Sequence, residues 1–130
     1  MCRAISMMLL AVMSSSAMAE WKKIEGVRGS DSNYFDPVSA NRNGTRAQIQ
    51  TLVNFVEKQR TETDWYVSAK YRTEYDCNKK QWRLLESRLY KEPMGGGEAI
   101  VINTRSSAGW MPTLPGTLTE LNMGIACVEH

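Results

Sequence analysis

Residues 65–77 read Trp-Tyr-Val-Ser-Ala-Lys-Tyr-Arg-Thr-Glu-Tyr-Asp-Cys, and the parity of this stretch decides the fold. Its odd positions are Trp65, Val67, Ala69, Tyr71, Thr73, Tyr75 and Cys77. Its even positions are Tyr66, Ser68, Lys70, Arg72, Glu74 and Asp76. Successive side chains of a strand point to opposite faces, so period-two alternation predicts a long strand with one buried and one wet face. Cys77 falls on the buried parity. Whatever it bonds to must cover the apolar face of the sheet.

The neighbouring segments extend the sheet. Trp21 to Val27 reads as a first strand, and Tyr34-Phe35-Asp36 as a short second one that Pro37 confines to an edge or ends early. Asn43-Gly44 signals a tight turn into Arg46 to Phe55, where Ala47, Ile49, Thr51, Val53 and Phe55 share one face and Arg46, Gln48, Gln50 and Asn54 the other. Glu57 to Asp64 reads as a polar loop. A hairpin turn at Lys79-Lys80 leads into a strand over Gln81 to Lys91. Pro93 and Gly95-Gly96-Gly97 form a connection; without a following Lys-Ser/Thr they do not make a phosphate loop. Glu98 to Thr104 is apolar enough for an inner strand.

The period then changes. Pro115-Gly116 breaks the chain, and Thr117 with Glu120 makes a capping box. Leu118, Leu121, Asn122 and Ile125 recur at helical spacing, and Cys127 ends the helix. The expected fold is α+β: an antiparallel sheet of about six strands with one C-terminal helix packed on its apolar face and tethered by a disulfide.

The N-terminus has the three-part order of a secretory signal: Arg3, the apolar run Ile5 to Met13, then Ser14 to Ala19 with small residues at the cleavage site. Cleavage is expected after Ala19. The apolar run is about half of the roughly 17–25 residues a membrane span needs, so no transmembrane segment is expected. Of 130 residues, removing 1–19 leaves 111, residues 20–130, the size of a single domain. Only Arg3 among the charged residues leaves with it, so 15 basic residues face 14 acidic ones. That balance gives no global pull toward nucleic acid. Of three cysteines, Cys2 departs with the signal, and Cys77 and Cys127 remain to pair in an oxidising compartment. A loop of about 50 residues constrains the unfolded chain by roughly 4 kcal/mol. The alternative, two redox-active thiols, lacks a C-x-x-C spacing.

Catalytic parts are scarce. The single histidine, His130, is the last residue, no serine stands in a nucleophile elbow, and both remaining cysteines are committed. No catalytic residue, cofactor or metal is expected, and the chain is read as a non-enzyme. Local basic density does exist: Lys79, Lys80, Arg83, Arg88 and Lys91 surround one hairpin, and Lys70 and Arg72 lie on the wet parity of the strand before it. Paired, these strands would carry a cationic stripe suited to a sulfated glycan or an acidic partner. Glu74, Asp76 and Glu86 interrupt it, and the bland alternative is a solvated face whose lysines blunt a sheet edge. Tyr66 and Tyr90 are expected as exposed aromatics beside it.

Trp21-x-x-Ile24, Tyr34-Phe35-Asp36-Pro37, Tyr66-Val67-Ser68-Ala69-Lys70 and Glu74-Tyr75-Asp76-Cys77 together form a recognisable pattern. Tyr90, Met94-Gly95-x-Gly97, Trp110 with Pro115-Gly116, and Cys127 continue it. The chain resembles the surface-adhesin protein E family. The resemblance implies an antiparallel sheet with a disulfide-tethered C-terminal helix, and adhesion to host extracellular-matrix and serum proteins. A lipidated member needs a cysteine directly after the apolar signal core, whereas Cys2 precedes that core, so no lipid anchor is expected. The expectation is an exported, periplasmic or secreted binding domain for a host matrix protein or sulfated glycan. The alternative is an envelope component with an endogenous protein or polysaccharide partner.

Overall fold

In the computed structural model the described residues are 20–101 and 109–128. The expected signal peptide at 1–19, the end of the last expected strand at 102–104, and His130 lie outside them. The strands are β1 (Lys22–Lys23), β2 (Ser32–Asn43), β3 (Arg46–Arg60), β4 (Trp65–Asp76), β5 (Gln81–Glu92), β6 (Gly96–Val101) and β7 (Met111–Pro112); one helix, α1 (Leu118–Ala126), follows. Strands β1 to β6 lie side by side in chain order, each antiparallel to the next. β7 shares the outer edge of β5 with β6, pairing at Gln81 and Trp82.

The turns follow from local chemistry. Gly44 takes φ +64 at the first position of the β2–β3 turn, a conformation side-chain-bearing residues avoid. Asp76 Oδ1 accepts the backbone N–H groups of Asn78 (3.1 Å) and Lys79 (2.9 Å), which curls the chain into the β4–β5 turn. The Thr61 hydroxyl accepts from Asp64 N (2.9 Å) and closes the β3–β4 turn.

The parity of β4 holds. Across the sheet, Tyr75 lies opposite Ala47 on β3 and Trp82 on β5, and Thr73 opposite Ile49 and Leu84. Ala47, Ile49, Tyr75 and Ala126 form the buried core, with Phe35, Trp82, Met123 and Ile125 packed around it. The helix starts at its expected cap, where Thr117 Oγ1 accepts from Glu120 N (3.3 Å). The Glu120 carboxylate turns back to accept from Gly116 N (3.5 Å) rather than from Thr117. Cys77 and Cys127 are disulfide-bonded, their Cα atoms 5.9 Å apart. The Arg42 guanidinium also donates to the Cys127 carbonyl, so the helix end is held to β2 as well as β4.

Several elements differ from the sequence reading. The first strand shrinks to Lys22–Lys23, because the chain turns at Glu25-Gly26, where Gly26 has φ +81. β2 does not stop at Pro37. Its register breaks between Asp36 and Asn41, and side chains take over the ladder there. Asp36 Oδ1 accepts from Val38 N (3.0 Å), and the Ser39 hydroxyl donates to Asp36 O (2.6 Å) while accepting from Gln50 N (2.8 Å). A bulge of this kind lets a strand carry a residue with no N–H. Residues 57–60 belong to β3, not to a loop, since the ladder resumes at Gln59–Tyr66 and Arg60–Trp65 after its own break. β6 is an edge strand, not an inner one. On α1, Asn122 and Ala126 are buried but Leu121 is exposed, so the packed stripe runs through 118, 122 and 125–126.

Candidate functional site: the polar face of the sheet

The face opposite α1 carries the residues expected to be wet, and it is closed at both ends. At one end Leu52, Ser68 and Tyr90 are buried. The turn at 93–95 folds over them: the Ser68 hydroxyl donates to Glu92 O (2.6 Å) and accepts from Gly95 N (2.9 Å), and Asn54 Oδ1 accepts from Met94 N (2.7 Å). Gly95, at φ +70, lies against the Lys70 side chain, where a Cβ would clash. The Lys70 ammonium in turn sits over the rings of Tyr90 (5.0 Å) and Trp21 (5.7 Å). Tyr90 is therefore not an exposed aromatic. Tyr66 is half-buried, edge-on to Phe55 at 5.6 Å.

At the other end Glu74 is 8 % exposed. Its carboxylate accepts two bonds from Arg83, 2.8 Å from Nε and 2.6 Å from a terminal nitrogen, and one from the Gln48 amide at 3.3 Å. The Trp110 ring lies against the guanidinium groups of Arg83 (4.5 Å) and Arg46 (5.2 Å) and covers this ion pair. Both Arg83 contacts converge on the single oxygen Oε1, and together they fix Arg83 in place.

Between the two closed ends lies an open polar groove of about 290 Å³, walled by Lys70, Arg72, Glu86, Arg88, Gln48 and Gln50, with Ser39 and Asn41 at the β2 bulge. Lys70 stands opposite Arg88, and Arg72 opposite Glu86. Glu86 holds both guanidinium groups, at 2.6 Å from Arg88 Nε and 3.3 Å from Arg72. Its hydrogen bond and charge push the Arg88 side chain further above its ordinary pKa. Three cations and one carboxylate leave this groove with an excess of positive charge, framed by amides that both donate and accept.

The structure thus divides the basic residues singled out from the sequence. Lys70, Arg72 and Arg88 meet in the groove; Arg83 lies on the same face but is spent on Glu74 and Trp110. Lys79 and Lys80 sit in the β4–β5 turn beyond it, with Lys80 at φ +53. Lys91 falls on the opposite parity, 2.9 Å from Asp64 and above the Trp65 ring, which Lys58 also covers. The Lys91 hydrogen bond is the main reason that the Asp64 carboxyl is held below its ordinary value. Gln48, Gln50 and the organising role of Glu86 escape sequence reading, although their shared parity with Arg72 was a usable signal. Among the described residues no group of three or more His, Cys, Asp or Glu is placed to hold a metal, and no helix is long and apolar enough to cross a membrane.

The family model of surface-adhesin protein E matches residues 21–128. Solved structures of Haemophilus influenzae protein E are similar to this chain. One is 14 % identical, with 85 % of each chain covered and a TM-score of 0.64. Crystal form II of that protein is 15 % identical over 73 % of this chain and 79 % of its own, at 0.61. A structure of protein E from non-typeable Haemophilus influenzae is 13 % identical over 85 % and 76 %, at 0.59. No curated protein matches the chain. Identities this low carry the fold alone, and the family match is what places the sequence. The chain belongs to the surface-adhesin protein E family.

Proposed function

We propose that this protein is an exported, non-enzymatic binding domain that holds a sulfated glycan, free or carried on a host matrix protein, in the groove between Arg72 and Arg88. Family membership supports an adhesin-like, exported protein, and a disulfide such as Cys77–Cys127 persists outside a reducing cytosol. The observation that carries the ligand class is the groove itself. Glu86 fixes two guanidinium groups in one arrangement while Lys70 is held by aromatic rings, so the cations are ordered before a ligand arrives. Guanidinium forks match the geometry of sulfate oxygens, and the flanking Gln48 and Gln50 amides suit sugar hydroxyls.

Retention on immobilised heparin tests this function. Wild-type protein should elute only with added salt, and Arg72→Gln with Arg88→Gln should weaken binding by on the order of 10- to 100-fold at physiological ionic strength. Lys79→Ala with Lys80→Ala should leave most of it. Retention that tracks the turn lysines and ignores Arg72 and Arg88 would move the site away from the groove.

A further inference from the structure

The opposite face of the sheet holds a cavity that glycan binding does not use. It measures about 500 Å³ and lies between β3, β4, β5, the start of α1 and the 24–31 loop. That is within the range of small-molecule sites, roughly 300–1,000 Å³. Much of its wall is apolar or aromatic, including Val53, Phe55, Tyr71, Trp82, Leu84 and Leu118. The buried polar side chains that join it, Asn33, Thr51, Thr73 and Asn122, are all neutral and each 8 % exposed. The amide of Asn122 meets the Tyr75 hydroxyl, and its Oδ1 is buried with no hydrogen-bond partner among the described residues. An unmet buried acceptor costs about 1–3 kcal/mol; Oδ1 has almost no accessible surface, so a ligand that supplies a donor recovers part of this cost once the Asn122 amide turns toward the cavity it lines. Arg28 and Asp31 also border the cavity, but both are exposed and of opposite sign, so they select for no net charge.

We propose that this cavity binds a small neutral amphiphile, an apolar body carrying a hydroxyl, with Asn122 as its polar contact. An anionic head would be desolvated against neutral walls, and a pure hydrocarbon would leave Asn122 unmet. The site lies on the face away from Arg72 and Arg88 and stands apart from glycan binding.

Fluorescence titration with N-phenylnaphthylamine, a neutral apolar dye, followed by displacement with octanol or octanoate, tests it. The dye should saturate, with energy transfer from Trp82, and octanol should displace it about tenfold better than octanoate. Leu84→Trp, which fills the cavity, should abolish dye binding while heparin retention and melting temperature are kept; Val53→Phe serves the same purpose if Leu84→Trp does not fold. Asn122→Leu should keep the dye but weaken octanol about tenfold. Non-saturating fluorescence, octanoate equal to octanol, or binding untouched by both filling variants would each overturn the proposal. Heparin retention in the same samples reports on the groove, so the two proposals fail separately.

Discussion

Replacing both Cys77 and Cys127 by serine should detach the C-terminal helix from a sheet that otherwise persists. The magnitude follows from the 50-residue separation of the two cysteines. In the chain-entropy treatment a loop of that length removes about 14 cal/mol/K from the unfolded chain, or roughly 4 kcal/mol at room temperature. For a domain of this size each kcal/mol moves the midpoint by about 4–8 °C, so a fall of about 16–32 °C is expected. The loss should be uneven. α1 has nine residues, too few for a helix that stands alone, and only Asn122 and Ala126 of it are buried. Without the bond it keeps the Arg42 contact to the Cys127 carbonyl, the Asn122–Tyr75 hydrogen bond and the packing of Met123, Ile125 and Ala126, a small surface to hold so short a helix in place. Thermal unfolding by circular dichroism, with amide exchange on the same variant, reads both effects. Amides of 121–126 should lose nearly all protection, while those of Ile49 and Tyr75 should fall only by the loss in global stability and stay the better protected. A midpoint within about 3 °C of wild type, or helix amides as protected as before, would refute the clamp.

Three further outcomes follow from other parts of the fold. Burial, opposed by the Asn122 and Thr73 hydrogen bonds, pushes the Tyr75 phenol well above its ordinary 10.0, and burial raises Tyr71 as well. The unfolded chain therefore loses these protons first, and stability should decline as the pH rises above about 10. Tyr75→Phe should make a urea midpoint measured across that range flatter, and unchanged steepness would refute the assignment. Gly95→Ala should cost about 1–3 kcal/mol in denaturant unfolding, because φ +70 is strained for alanine and its Cβ meets the Lys70 side chain. Arg83→Ala should cost about 2 kcal/mol by leaving the buried Glu74 carboxylate short of its two strongest bonds, and Glu74→Gln in the same chain should restore part of it. A double-mutant cycle with no coupling would contradict the pairing.

The architecture was legible because one periodicity was clean. Thirteen alternating residues at 65–77 placed Cys77 on the buried face, and the Thr117–Glu120 cap announced the only element able to bring a second cysteine there. What escaped was whatever depends on contacts distant in sequence. Pro37 looked like a strand terminator because nothing local shows that Asp36 and Ser39 side chains replace the missing ladder bonds. Tyr90 and Leu52 carried the wet parity, yet the 93–95 turn and Trp21, remote in sequence from β4, cover that face. The basic stripe was visible as composition only. Lys91 changes face because the register of β4 and β5 shifts between Arg72 and Thr73, and Arg83 is consumed by a carboxylate that sequence alone shows merely as an interruption.

The groove between Arg72 and Arg88 is tested most directly by where a sulfated oligosaccharide touches the sheet. In a backbone amide NMR titration with a heparin-derived oligosaccharide, shifts should gather at residues 48–50, 70–72 and 86–88 and saturate together. They should vanish in Arg72→Gln/Arg88→Gln, whose remaining spectrum should match wild type. Shifts confined to the Lys79–Lys80 turn, or none at physiological ionic strength, would contradict the groove as the binding site.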